Sequence, residues 1–199
     1  MIVLIITAVR IKSMDSHRIS GRILAENIAG PGMLRLVEQS MQARARKTSV
    51  TEIAVKERKH PQAALTFDDG PDIRYTPLLL DGLKERNVRV SFFLLGEKVE
   101  QYPELVERMQ KEGHLVGNHT YHHVQLNKLN ETKAREEILK TNNLIYETTG
   151  VYPLYLRPPF GAWKKNLELC VEMLPVFWTI DTLDWKVKNT EKIVRTVKE

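Results

Sequence analysis

Cysteine is nearly absent from this sequence, since Cys170 is the only one in 199 residues. No disulfide can form within the chain, and a four-cysteine or Cys2His2 zinc site is excluded. Cys170 lies in an apolar pattern with Leu169 and Met173. This pattern predicts a small side chain in the core rather than a reactive thiol.

The start of the sequence has no apolar run long enough to cross a membrane. Residues 2–9 are apolar but far too few for a transmembrane helix. They also lack the positive region and the cleavage site of a signal peptide. Two interpretations stay open: the remnant of an anchor that associates the protein with a membrane, or a β-strand.

Positive charge is in excess only in the N-terminal third. Residues 1–62 hold 11 Lys and Arg against 5 Asp and Glu, and the remainder holds 19 against 20. A basic segment favours an anionic surface, although a solvated arm is the simpler interpretation. The segment has no aromatic stacking pattern or reading helix, so no nucleic-acid partner is expected. We predict a leader and linker over residues 1–60, with one helix at most, and one folded domain over residues 61–199.

Strand and helix patterns alternate from residue 63 onward. The predicted strands are 63–67, 88–95, 114–117, 154–156 and 176–180. The predicted helices are 76–86, 102–112, 131–149, 164–174 and 191–198. This alternation predicts a parallel sheet with right-handed crossovers, either as an open sheet or as an α/β barrel.

Two adjacent carboxylates, Asp68 and Asp69, follow the first of these strands. Gly70 and Pro71 then break the chain. Ligands of α/β folds bind at the carboxyl ends of strands, and two such close carboxylates repel each other unless a cation or a proton intervenes. The alternative is a surface Asx turn, because Asp and Gly both favour turns.

Two histidines follow the third predicted strand with a spacing that suits a metal. His119 and His123 are four residues apart, so on a helical turn they share one face. His122 points elsewhere, and we interpret it as a structural or supporting residue. One Asp and two His leave positions on a divalent ion for water and substrate, and the other Asp is then available as a general base.

Two further segments follow the fourth and fifth predicted strands. Arg157 precedes two prolines that fix the backbone, so it can orient a carboxylate by paired hydrogen bonds; the alternative is a rigid loop with a solvent-facing Arg. Trp185 follows Asp184 and can form one wall of a sugar site. Alternatively, Trp185 is a core residue, and Asp181 and Asp184 cap a loop.

Together these segments resemble the NodB-type polysaccharide deacetylases, known as carbohydrate esterase family four. The order and the spacing of four successive motifs agree over about residues 62–199. The motifs are Thr66-Phe67-Asp68-Asp69-Gly70-Pro71, His119-Thr120-Tyr121-His122-His123, Arg157-Pro158-Pro159-Phe160-Gly161 and Asp184-Trp185.

The resemblance implies a distorted (β/α) barrel that removes acetyl groups from N-acetylated or O-acetylated polysaccharide, such as peptidoglycan, chitin or xylan. By the family pattern, Asp68 is the general base and Arg157 orients it. Asp69, His119 and His123 hold the divalent metal. Zinc suits this ligand set best, with cobalt, nickel or manganese as alternatives. Family habit also implies an extracellular or cell-surface location.

The resemblance further implies that the backbone N–H of Phe160 stabilises the oxyanion, with Pro159 and Trp185 beside the substrate. The family usually has Tyr in place of Phe160, a change that a backbone role tolerates. Its fifth motif, Leu-x-His, supplies the general acid, which Asp184 would tune. This sequence ends before such a motif. We therefore expect a barrel that lacks its last strands, and the alternative function is a catalytically impaired carbohydrate-binding remnant.

Overall fold

The computed structural model of the chain describes residues 3–7, 63–163, 171 and 173–198. The predicted leader beyond residue 7, Cys170 and most of the predicted helix over 164–174 lie outside these residues. Among the helices that are described, none is both long and apolar enough to cross a membrane.

Seven strands and six helices make up the described part of the chain. The strands are β1 (Val3–Thr7), β2 (Ala64–Gly70), β3 (Ser91–Leu94), β4 (Leu115–Asn118), β5 (Tyr155–Leu156), β6 (Leu174–Pro175) and β7 (Ile180–Asp181). The helices are α1 (Tyr75–Glu85), α2 (Gly96–Gln101), α3 (Pro103–Lys111), α4 (Glu131–Thr149), α5 (Asp184–Val187) and α6 (Thr190–Lys198).

The strands form one sheet in the order β6-β5-β4-β3-β2-β1-β7. From β2 to β6 each strand lies parallel to the next one along the chain, which confirms the predicted parallel sheet with helical connections. A doubly wound sheet would reverse its strand order at a switch point. The consecutive order therefore agrees with the barrel-type winding that the family resemblance implies.

The segment at the start of the chain adopts the strand interpretation. β1 runs antiparallel to β2, with Val3 opposite Asp68 and Thr7 opposite Ala64. On its other side it pairs with β7, where Ile5 lies opposite Asp181. The backbone of β1 thus covers an edge of β2 that would otherwise be open to pairing. The domain boundary near residue 60 stays a prediction.

The structure corrects two predicted elements near the C-terminal end. The predicted strand over 176–180 is wrong: β6 ends at Pro175 and β7 begins only at Ile180. The sequence pattern of a buried strand is present, because the three consecutive residues are apolar (Val176, Phe177 and Trp178), but Phe177 is exposed in the structure. The predicted helix over 164–174 is wrong at its end, because Leu174 belongs to β6, where its N–H donates to the carbonyl of Leu154.

Two apolar clusters hold the helices against the sheet. The larger one joins α1, α2, α3 and α4 to β3, and the smaller one packs around the N-terminal half of α4. The buried residues of the larger cluster are Leu80, Leu83, Val90, Phe92, Leu94, Val99, Val106, Met109 and Ile145. Those of the smaller cluster are Leu126, Ala134, Ile138 and Leu156. These contacts fix the carboxyl ends of β2, β3 and β4, from which the site is built.

Candidate active site

The two carboxylates lie at the end of β2, where the strand is irregular. The pairing register between β2 and β3 shifts between Asp68 and Gly70, and Asp69 has a left-handed backbone with φ of 64°. A bulge of this kind redirects a side chain. Asp68 is buried and Asp69 is largely buried, so the surface-turn alternative is wrong.

The two histidines lie on the loop that follows β4, and residues His119 to His123 are called here the histidine loop. Thr120 and His123 both have positive φ, at 67° and 56°, so the loop is not one regular helical turn. The backbone carbonyl of Arg157 lies 2.6 Å from Nδ1 of His119. A proton on this nitrogen donates to the carbonyl and leaves Nε2 of His119 free to bind a metal.

Asp69, His119 and His123 form a group with the spacing of metal ligands. One potential ligand atom from each lies within 4.8 Å of the others. Oδ1 of Asp69 is 3.4 Å from Nε2 of His119 and 3.4 Å from Nε2 of His123. This oxygen is buried and accepts no hydrogen bond within the described part of the chain. Such an atom costs free energy unless something binds it, so the three residues fit a divalent cation.

Arg157 connects Asp68 to the sheet from a fully buried position. Its side chain is 0% exposed, so the solvent-facing alternative is wrong. Nη1 donates to Oδ1 of Asp68 at 2.6 Å and to Oγ1 of Thr66 at 2.7 Å. The guanidinium also lies over the ring of Phe93, with 4.1 Å from Cζ to the ring centroid. Arg157 therefore fixes the orientation of the Asp68 carboxylate.

The environments of the neighbouring carboxylates move their pKa values in opposite directions. Burial raises the pKa of Asp68 above its usual range, and the neighbouring His119 and Arg157 oppose this effect only in part. Burial also favours the neutral form of Asp69, but its interactions with His119, His123 and Lys98 hold the pKa of Asp69 below its usual range. A pair separated in this way suits one base and one permanent anion.

The aromatic ring of Phe160 lies beside the histidine loop. Its centroid is 4.6 Å from that of His123, and its side chain is 61% exposed. Phe160 lies in the short helical turn Pro159–Gly161 with φ of 60°, and Pro159 is buried. The structure thus brings Phe160 to the rim of the group formed by Asp69, His119 and His123.

Asp184 and Trp185 lie in a helix that follows β7, not on the loops after β2 and β4. They begin α5, which follows β7, and β1 separates β7 from β2. Trp185 is 45% exposed, so it is not a core residue. Oγ1 of Thr182 donates to Oδ1 of Asp184 at 3.3 Å. The N–H of Leu183 donates to Oδ1 of Asp181, so Asp181 caps a loop as the alternative interpretation expected. The roles of Asp184 and Trp185 stay predictions.

Three residues for which the sequence predicts no role of their own contribute to the site. Thr66 accepts from Arg157, Phe93 lies beneath the guanidinium, and Glu137 contacts the histidine loop. Thr66 could have been identified from the sequence, because it precedes Asp68 by two residues on the predicted strand and residues two apart on a strand face the same side. No local pattern identifies Phe93 or Glu137, since their partners are distant in sequence.

Comparison with known proteins places the chain in a family. The family model described as Polysaccharide deacetylase matches residues 55–177. A peptidoglycan-N-acetylglucosamine deacetylase of Bacillus cereus is 45% identical over 139 residues, which cover 68% of this chain and 50% of that protein. A peptidoglycan-N-acetylmuramic acid deacetylase of Bacillus subtilis is 40% identical over 134 residues, 67% of this chain and 29% of that protein.

Solved structures agree with the sequence matches. The structure of the peptidoglycan deacetylase PdaC from Bacillus subtilis superimposes with a TM-score of 0.65 at 39% identity, covering 67% of this chain and 66% of that one. A family 4 carbohydrate esterase from Streptomyces lividans has a TM-score of 0.64 at 32% identity, covering 67% of this chain and 71% of that one. On this evidence the chain belongs to the polysaccharide deacetylase family.

Proposed function

We propose that this protein is a metal-dependent hydrolase that removes acetyl groups from N-acetylated polysaccharide. The observation that carries the proposal is the buried Oδ1 of Asp69, placed 3.4 Å from an imidazole nitrogen of both His119 and His123. A structural carboxylate would have a hydrogen-bond donor at that position. A divalent cation satisfies the oxygen and both nitrogens together.

The proton chemistry of the reaction falls to Asp68. Asp69, His119 and His123 would hold a divalent ion, which would supply Lewis-acid activation of water and of the acetyl carbonyl. Asp68 is oriented by Arg157 and has a raised pKa, which brings it closer to the range in which a carboxylate is an effective general base. The backbone N–H of Phe160, at the rim of the site, is assigned to the developing oxyanion.

Among acetylated polymers we propose peptidoglycan as the substrate. The relatives from Bacillus cereus and Bacillus subtilis act on peptidoglycan sugars by their names, whereas a more distant relative from Rhizobium leguminosarum, 37% identical, is a chitooligosaccharide deacetylase. Phe160 and Trp185 are exposed aromatic side chains that suit the apolar faces of sugar rings. A wall polymer as substrate also implies an extracellular or cell-surface protein.

Zinc is the metal that we propose for this site. Imidazole and carboxylate ligands in a three-residue set suit zinc in hydrolases, and cobalt, nickel or manganese are the alternatives to be compared. The identity is decided by metal analysis of the purified protein, followed by reconstitution of the chelated protein with each ion.

The proposal is tested by acetate release from peptidoglycan fragments and from chitooligosaccharide. We expect release that a chelator abolishes and zinc restores, and a loss of at least about 100-fold in Asp68→Asn, within the range of general-base catalysis. The matched control is Asp72→Asn, because Oδ1 of Asp72 accepts from the N–H groups of Arg74 and Tyr75 and an amide oxygen retains that role. Release that persists after chelation or in Asp68→Asn would refute the mechanism.

A second candidate is a carbohydrate-binding protein with impaired catalysis. The structural relatives include a family pseudoenzyme from Bacillus anthracis, with a TM-score of 0.63 at 27% identity. This candidate predicts that sugar binds without turnover. General-acid catalysis is worth ~10²–10⁴ in rate, so acetyl esters, which have better leaving groups, should react faster than amides. Zinc-dependent acetate release from an amide substrate would exclude this candidate.

A further inference from the structure

The histidine loop, from His119 to His123, has an unfavourable backbone conformation. Thr120 and His123 are both in the left-handed region, a conformation that is unfavourable for a residue with a side chain. Strained residues persist where their surroundings fix them. The contacts that fix this loop therefore also determine whether the two imidazoles converge.

Glu137 makes three polar contacts with this loop from outside it. Its Oε2 accepts from the backbone N–H of Tyr121 at 3.0 Å and from that of His122 at 2.9 Å. Its Oε1 lies 2.7 Å from Nδ1 of His122. Consecutive N–H groups that point at one anion form a nest, which is a favourable site for a carboxylate.

The position of Glu137 is itself fixed by the packing of α4 against the sheet. Nδ2 of Asn118, the last residue of β4, donates to the carbonyl of Ile138 at 2.9 Å and to Oδ1 of Asn142 at 2.6 Å. Oδ1 of Asn118 accepts from the N–H of Thr120 at 2.7 Å. The same amide side chain thus binds both the helix and the loop, and sets the distance between them.

Gly96, the first residue of α2, packs closely against both the histidine loop and α4. A Cβ atom added at Gly96 would lie 2.4 Å from the ring of Tyr121 and 2.5 Å from Oγ1 of Thr141. The hydroxyl of Tyr121 donates to Glu100, and Nζ of Lys140 lies 3.5 Å from the centroid of the Tyr121 ring. The side chain of Tyr121, the central residue of the loop, is therefore held by contacts with Gly96, Glu100 and Lys140.

We infer that Glu137 is a positioning residue for the proposed metal site: its carboxylate binds the centre of the histidine loop, between the two left-handed residues, and holds His119 and His123 close to Asp69. The inference rests on the proposed function, because it concerns the same three ligands. Glu137 does not touch the group itself; it acts through the backbone of Tyr121 and His122. The side chain of Glu137 is 15% exposed and that of His122 is 60% exposed. The hydrogen bonds from Glu137 to the backbone are therefore better shielded from solvent than its contact with the His122 ring.

The inference predicts a weaker metal site when the carboxylate is removed. Zinc affinity of the chelated protein is measured by competition with a chromophoric chelator, well below the melting temperature of each variant. Groups that support metal ligands typically contribute 10–100-fold to affinity, so Glu137→Ala should lose about that much. Glu137→Gln retains an oxygen for the two amides and should recover part of the loss.

Two controls separate loop positioning from helix stability and from the His122 ion pair. Glu136→Ala removes the same charge from the adjacent, exposed position of α4 and should leave zinc affinity unchanged. His122→Ala removes the ring contact but keeps both backbone hydrogen bonds, and should have a much smaller effect than Glu137→Ala. If Glu137→Ala does not fold, Glu137→Asp withdraws the carboxylate by one methylene and should still weaken zinc binding.

The outcomes distinguish this inference from the proposed function. Wild-type protein that binds no divalent metal would overturn both. Tight binding by the wild type, with equal affinity in a folded Glu137→Ala or Glu137→Asp, would overturn the positioning role alone, as would a variant that lowers the melting temperature without changing affinity. Loss of affinity in these variants, with partial recovery in Glu137→Gln, supports the role.

Discussion

Asp68 and Asp69 adjoin in the chain, but their side chains lie in different surroundings. Asp68 accepts a hydrogen bond from the buried Arg157, whereas the bulge after Asp68 turns Asp69 toward the two imidazoles. The pKa of Asp68 is raised and that of Asp69 is lowered. At the scale of single residues, one change of backbone conformation thus gives two chemically equivalent groups different environments and opposite pKa shifts.

The first prediction concerns the pH dependence that Arg157 gives to Asp68. Burial raises the pKa of Asp68 while the charge of Arg157 lowers it, so Arg157→Gln should raise this pKa further. A general base acts only when ionised, and the ascending limb of kcat/KM against pH should therefore move to higher pH. Arg157→Lys keeps the charge without the planar fork and should shift it less.

Stability should change in the same variants. Removing one partner of a buried ion pair costs about 3–5 kcal/mol, so Arg157→Gln should lower the free energy of unfolding by that order, as measured by denaturant titration. Arg108→Gln is the control, because Arg108 forms more exposed ion pairs with Asp81 and Glu112. It should cost about 1 kcal/mol or less and leave the pH profile unchanged. A profile unaltered in Arg157→Gln would contradict the assignment of Asp68 as the base.

At the scale of elements, the close approach of β3 to β4 determines where the guanidinium lies. Gly117 of β4 leaves space for the ring of Phe93 of β3, and that ring lies beneath Arg157. A Cβ at Gly117 would lie 2.7 Å from Cδ1 of Phe93 and 3.0 Å from the carbonyl oxygen of Tyr155. The second contact is with backbone, so the strand itself must move.

The second prediction follows from this contact. Gly117→Ala should destabilise the protein by about 1–3 kcal/mol through overpacking and should also lower kcat, because a displaced Phe93 ring moves Arg157. The control is Gly82→Ala in α1, where the nearest atom to the new Cβ is the flexible end of Arg86 at 3.4 Å. In a helix this change should stabilise by about 1 kcal/mol. Equal melting temperatures and equal kcat in the two variants would contradict the prediction.

At the scale of the whole molecule, the sequence predicts the site better than it predicts what surrounds it. Asp69, His119 and His123 follow strands that alternate with helices, and parallel strands bring their carboxyl ends to one edge. The structure accordingly brings these three residues together. The motifs are local in the sequence, so their residues can be identified without knowledge of tertiary contacts.

Features that depend on distant partners were not predictable in the same way. Glu137 meets the histidine loop only because α4 packs beside β4, and nothing in its local sequence indicates a partner. The segment 176–180 is apolar enough for a strand, but its two ends contact the sheet backbone at different strands: the N–H of Val176 donates to the carbonyl of Leu156, and Ile180 begins β7. The position of β1 between β2 and β7 joins segments about 60 residues apart or more, and apolar character alone left two interpretations of it open.

The last prediction tests whether β1 stabilises the strand that carries the carboxylates. Ile5 lies opposite Thr66 of β2 on one side and Asp181 of β7 on the other. Proline there removes a backbone donor inside the sheet, and a lost hydrogen bond with an unpaired buried carbonyl costs about 1–3 kcal/mol. Ile5→Pro should lower the melting temperature and the hydrogen-exchange protection of β2 amides, whereas Ile5→Val keeps the N–H and should not. Protection of Leu65 to Asp68 that is equal in both variants would show that β2 is stable without β1.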